Sequence, residues 1–132
     1  PSYQMIHARQ DKAYYMDSSS IVVKTNTTEE LLIVVNEVSA SFDYDRLTDI
    51  ESFKAIDQVR TFWYYKPLNE NKTYMTHAVI AGNDILLPPY IGEEYVYYST
   101  DNGHSWMPFD TTVNSGPTRI RARAFKLLMQ NI

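Results

Sequence analysis

The sequence predicts an α+β, β-dominated domain: an antiparallel sheet of about five to seven strands with a C-terminal helix packed on one face. Three observations carry this. Eleven Tyr and two Trp stand against only four Gly in 132 residues, a composition that suits pleated, half-buried surfaces better than helix bundles. Residues 34–45 alternate between two kinds of side chain, and a period of two marks a strand with unlike faces. After Pro117 the chain turns to Arg, Ala, Lys, Leu, Met and Gln, which are good helix formers.

Length and composition bound the rest. One domain spanning residues 1–132 is large enough to bury a core without metal or disulfide staples. A hydrophobic fraction of 44% beside 21% charged residues fits a soluble globule and argues against disorder. The net charge of −4 excludes a general polyanion binder, since such affinity comes from clustered Lys and Arg, so nucleic acid is not an expected partner. With no cysteine there is no disulfide, thiolate metal site or cysteine nucleophile. No apolar run reaches membrane-spanning length.

Taken in order, residues 2–8 read as a short edge strand that ends at the polar group Arg9 to Lys12. Ala13 to Lys24 reads as two β-prone runs joined at Asp17, Ser18, Ser19 and Ser20, whose side-chain oxygens can bond nearby N–H groups, and this predicts a hairpin reversing at Asp17 and Ser20. Thr27 and Glu30 fit a helix-capping box, but the period of two that follows decides for a strand over residues 31–44. On it Val34, Asn36, Val38, Ala40, Phe42 and Tyr44 are the expected buried face, and Val35, Glu37, Ser39 and Ser41 the wet one. So long a strand is expected to carry a bulge.

Residues 46–57 fit two readings. Thr48 with Glu51 makes a capping box, and Ile50, Phe53 and Ile56 recur every three residues as in a short helix. Val59 to Tyr65 has strand composition, with Pro67 to end it. A loop over 68–72, a strand over 73–80, a turn at Gly82 to Asp84 and a short apolar run before Pro88 and Pro89 follow. In the final helix Ile120, Ala124, Leu127 and Leu128 share a face, opposite Arg119, Arg123, Lys126 and Gln130; Arg121 is misplaced in that wheel.

The most sharply specified local structure is the hairpin over residues 95–106. Tyr95 to Tyr98 is aromatic and β-branched, Asp101 can accept backbone N–H bonds, Gly103 can take positive φ, and Trp106 opens the return strand over 107–113. The positions Ser99, Asp101, Gly103, Ser105 and Trp106 resemble the Asp box of sialidases and other β-propellers. That resemblance implies a structural turn remote from any catalytic centre. A similar box also occurs in small microbial ribonucleases.

A second, looser resemblance covers about two thirds of the chain. Tyr15, Asp17, Ser20 and Ile21, with the later Phe62 to Tyr65 strand and the Trp106 hairpin, resemble small exported bacterial domains of the surface-adhesin E type. It implies a β-sheet domain with a flanking helix, in an extracytoplasmic location (periplasmic, cell surface or secreted) reached after removal of a signal peptide. Cysteines common in those domains are missing here.

No reaction centre is legible. His7, His77 and His104 are far apart and none stands at metal-ligand spacing, so no metal or cofactor site is read. A ribonuclease-like hydrolase would need His104 close to Glu93 or Glu94 and an arginine. Asp43, Asp45, Asp49 and Glu51 offer oxygen ligands without the glycine that lets a calcium loop turn, and read as a solvated loop. Adjacent tyrosines are the one hint of a binding surface. Strand alternation puts one of Tyr64 and Tyr65, and one of Tyr97 and Tyr98, on each sheet face, and a face left uncovered would carry a tyrosine stripe suited to protein or glycan partners. The expectation is a non-enzymatic exported domain binding a protein or glycan, with an inhibitor or immunity protein of a secreted toxin as the alternative.

Overall fold

Period-two patterning and tight reversals produce a sheet of long antiparallel strands in meander order. A computed structural model describes residues 1–42, 53–77, 80–81, 84–85, 96–108 and 118–132. The strands are β1 (Tyr3–Arg9), β2 (Lys12–Asn26), β3 (Glu30–Phe42), β4 (Phe53–Pro67), β5 (Thr73–His77), β6 (Ile80–Ala81), β7 (Asp84–Ile85), β8 (Val96–Ser99) and β9 (Met107–Pro108); the helix is α1 (Thr118–Gln130). The main sheet runs β1-β2-β3-β4-β5-β8-β9, with β6 and β7 paired apart from it. This is the β-dominated α+β architecture that the residue pattern predicts, with the helix on one face.

Three local expectations are corrected. The chain does not reverse at Asp17: β2 continues for 15 residues, and residues 18–21 bulge out because Asp17 pairs with Asn36 while Val22 pairs with Val34. The side chains expected to make a turn satisfy the bulge instead. Asp17 Oδ1 accepts the Ser2 and Ser19 amides at 2.9 and 3.1 Å, while Ser20 Oγ donates to Asp17 O at 2.6 Å and accepts the Asn36 amide at 2.8 Å. Both flanking runs can then stay paired to β3, which satisfies more backbone than a reversal would. Secondly, residues 53–57 are strand, not helix, with Phe53 and Ile56 opposite Phe42 and Ala40. Their period of three is overridden by pairing along the whole of β3. The remainder of the expected helix, residues 46–52, and the loop at Asp43, Asp45, Asp49 and Glu51 lie outside the described residues.

The third correction concerns which face of β3 is wet. Val34, Val38 and Ala40 are buried as expected, yet Val35 is only 1% exposed and Ser39 8%. The helix packs on that side. Its Ala124, Phe125 and Leu128 close a core with Ile6, Met16, Ile33, Val35, Phe62, Tyr64, Met75, Tyr97 and Trp106. Leu32, Val34 and Trp63 form a separate cluster on the opposite face. Alternation therefore separates two apolar sets, both buried.

Two contacts set the helix in place. At its C-terminal end Gln4 of the edge strand and Asn131 exchange side-chain hydrogen bonds at 3.1 and 3.0 Å. Nearer its middle Phe125 meets the β8–β9 turn: a Cβ on Gly103 would stand 2.1 Å from Phe125 Cδ1, and φ there is +86°. Only glycine serves both the backbone and the ring. Thr27, the candidate helix cap, accepts the Glu29 and Glu30 amides at 3.2 Å but closes a turn into β3.

Candidate functional site

The four tyrosines that the sequence singles out divide between the two faces. Tyr64 and Tyr97 point under the helix and are buried, whereas Tyr65 and Tyr98 lie on the other side and are half-buried. Tyr74, which the sequence reading passed over, completes the outer set. It pairs with Tyr65 across β4–β5 and with Tyr98 across β5–β8, so three tyrosines stand in one cross-strand row. Its place was hidden because only the register of three strands aligns these residues.

The row is held by neighbours at one end of the sheet. The rings of Tyr65 and Tyr74 stack with centroids 6.4 Å apart at 27°. The Tyr65 hydroxyl donates to Glu30 Oε2 at 2.9 Å, and that bond to a carboxylate raises its pKa. The Tyr74 hydroxyl donates to Glu70 Oε2 at 3.3 Å, and burial together with Glu70 raises its pKa. Lys72 Nζ lies 5.4 Å from the Tyr98 ring centroid, and exposed Met107 extends the row beyond Tyr98. Glu30 opens β3, and Glu70 and Lys72 lie in the β4–β5 connection; the segments bond one another or their neighbours, the Leu68 amide donating to Glu29 O at 2.8 Å and Asn71 Nδ2 to Thr100 O at 3.4 Å.

The β8–β9 hairpin beside this row is internally saturated. Ser99 Oγ donates to Asp101 Oδ1 at 2.7 Å and accepts the Gly103 amide at 2.8 Å, while Ser105 donates both its amide and its hydroxyl to the Asp101 carboxylate. Those bonds, Ser105 first, lower the Asp101 pKa to about 2. Trp106 Nε1 donates to Gly103 O at 3.1 Å, and the indole is buried. These residues make a scaffold. His104 is exposed on the turn, and Glu93 and Glu94, which a hydrolase reading would place against it, lie outside the described residues. His7 meets Arg123 at 2.8 Å through Nδ1; His77 belongs to β5. Among the described residues no three His, Cys, Asp or Glu side chains gather as a metal site.

No family model matches the chain, and neither does any curated protein or solved structure.

Under the helix the arrangement is different in kind. Glu37, on the face expected to be wet, stands opposite Arg60 on β4 and next to Met16 on β2. Arg121 lies over the Tyr97 ring, its guanidinium carbon 3.7 Å from the centroid. Burial pushes the Glu37 pKa up to about 8, against the pull of Arg121, Arg60 and Tyr64 toward the carboxylate. The Tyr64 hydroxyl, near Glu37 but without a hydrogen bond of good geometry, is raised well above its ordinary value by burial and by that carboxylate. The signal for this group was the misplaced Arg121: a guanidinium on the apolar side of a helix needs a counter-charge on the surface beneath it.

Proposed function

We propose that this chain is a non-enzymatic binding domain that recognises a neutral glycan through the Tyr65–Tyr74–Tyr98 row, and that it works outside the cytoplasm. The observation that carries the reading is the row itself: three half-exposed tyrosines in register on three strands, flanked by carboxylates. Ring faces offer flat apolar area at small entropic cost and suit the C–H faces of a sugar. Glu30 and Glu70 present oxygen acceptors for sugar hydroxyls at the same edge. A neutral ligand is favoured over a polyanion because those carboxylates and the net charge of −4 repel negative charge. The extracytoplasmic placement rests on the resemblance of Tyr15, Asp17, Ser20 and Ile21 to exported adhesin-like domains.

The test is titration of the chain with a panel of soluble neutral oligosaccharides, followed by tyrosine and tryptophan fluorescence and by calorimetry. Tyr74→Ala, at the centre of the row, should weaken binding about tenfold or more, equal to roughly 1.4 kcal/mol. Lys126→Ala, on the exposed side of the helix, should leave it unchanged. Undiminished binding by Tyr74→Ala, or no saturable binding of any oligosaccharide at millimolar concentration, would refute the reading. A protein ligand lost with Tyr74→Ala, in a chain that binds no sugar, would reassign the row to a protein partner.

A further inference from the structure

A cavity of about 220 Å³ lies between the sheet and α1, and Trp106 is not among the residues that line it. At roughly 30 Å³ per water it has room for about seven waters or one small organic molecule. Its walls divide by chemistry. Phe62, Met75, Ile120 and Ala124 make an apolar side, while Glu37, Arg60 and Arg121 stand on the polar side, with Lys12 and Tyr14 also lining the space.

The polar side is unfinished. Arg121 Nε is buried with no hydrogen-bond partner, and the Tyr64 hydroxyl close by has only the poorly aligned Glu37 carboxyl to face. Among the described residues neither Arg60 nor Arg121 closes an ion pair with Glu37, and Lys12 pairs instead with Asp57 at 3.8 Å. Buried donors left open cost roughly 1–3 kcal/mol each unless something fills them. Two guanidiniums facing one carboxyl leave an excess of positive charge, and a planar guanidinium is matched by a carboxylate. We infer that this cavity is a binding site for a small organic carboxylate, with its head between Arg121 and Arg60 and its apolar body against Phe62, Met75 and Ile120.

Protonated Glu37 contributes a donor to such a head, and ionised Glu37 repels it. The charged and titratable groups around Glu37 are Arg121 from α1, Arg60 and Tyr64 from β4, and Lys12 and Tyr14 from β2, with Asp57 behind Lys12. Affinity should therefore fall as pH rises through about 8, where Glu37 loses its proton.

Calorimetry and methyl NMR with hexanoate as the probe, and hexylamine and inorganic phosphate as controls, test this directly. Hexanoate should bind at pH 6, shift the Ala124 and Ile120 methyl signals, and bind about tenfold more weakly at pH 9. Arg121→Met should abolish binding, with a thermal melt confirming that the variant folds. Glu37→Gln, which keeps the shape of the wall, should bind hexanoate with the pH dependence removed. Failure of hexanoate to bind the unaltered chain, equal binding of hexylamine or phosphate, or full affinity in folded Arg121→Met would each overturn the assignment. All of these outcomes are independent of the tyrosine row, which Tyr74→Ala reports separately.

Discussion

The two ends of the helix–sheet interface solve the same problem in opposite ways. At one end Trp106 meets Phe125 and Tyr64 edge to face, with centroids 5.5 and 6.0 Å apart, and Tyr64 and Phe125 lie tilted at 43° with centroids 5.5 Å apart. The adjoining turn satisfies its two buried donors: Trp106 Nε1 donates to Gly103 O and the Gly103 amide to Ser99 Oγ. At the other end Glu37, Arg60 and Arg121 surround open volume, and Arg121 Nε has no partner. A closed aromatic contact gains packing and dispersion. A cavity lined by half-buried polar groups gives up part of both, so the first end is where stability is made and the second is where stability has been spent.

The largest effect that would sharpen this contrast is Phe125→Ala, which removes the ring shared by two of the three aromatic contacts and should destabilise the fold by about 3–5 kcal/mol. Urea denaturation measures it, and a loss below roughly 1 kcal/mol would mean that the aromatic end does not anchor the helix. Gly103→Ala should cost about 2–4 kcal/mol, since φ is +86° there and the added Cβ meets the Phe125 ring. The double variant Gly103→Ala, Phe125→Ala should then cost less than the sum of the two, because removing the ring removes the clash.

The open end should respond to pH. The folded-state pKa of Glu37, about 8, lies above its unfolded value, so the folded chain binds more protons between roughly pH 4 and 8 and stability declines as pH rises through that window. The drop attributable to Glu37 should be about 1–3 kcal/mol, since water reaching the cavity relieves part of the burial. Glu37→Gln should flatten that slope and be more stable than the unaltered chain at pH 9. An unchanged slope in paired melts at pH 5 and pH 9 would place the titration elsewhere. The smallest expected effect lies on the outer face: Tyr65→Phe removes one half-exposed bond to Glu30 and should cost roughly 0.5–1.5 kcal/mol, read from the same denaturation curves.

Particular residues mark how far the sequence could be read. Val59 to Tyr65 and Thr73 to His77 are legible as strands because β-branched and aromatic residues suit a pleated surface whatever their partners. Asp101, Gly103 and Trp106 are legible as a reversal because positive φ and short side-chain bonds are local. Asp17 and Ser20 carry the same chemistry and make a bulge, since the long flanking runs both pair with β3 and local chemistry cannot weigh that gain. Tyr74 joins Tyr65 and Tyr98 only through the register of three strands, and Glu37 meets Arg121 only because α1 crosses that face.

The order of side chains by itself determined that this chain makes long two-faced strands, a tight hairpin at residues 99–106 and an amphipathic terminal helix. These follow from preferences acting within a few residues. Only the tertiary structure decided which strand face the helix covers, because both faces of β3 carry apolar residues and alternation distinguishes two sides without ranking them. That choice buried Tyr64 and Tyr97 with the half-buried Glu37 beside them, and left Tyr65, Tyr74 and Tyr98 half-exposed on the other face.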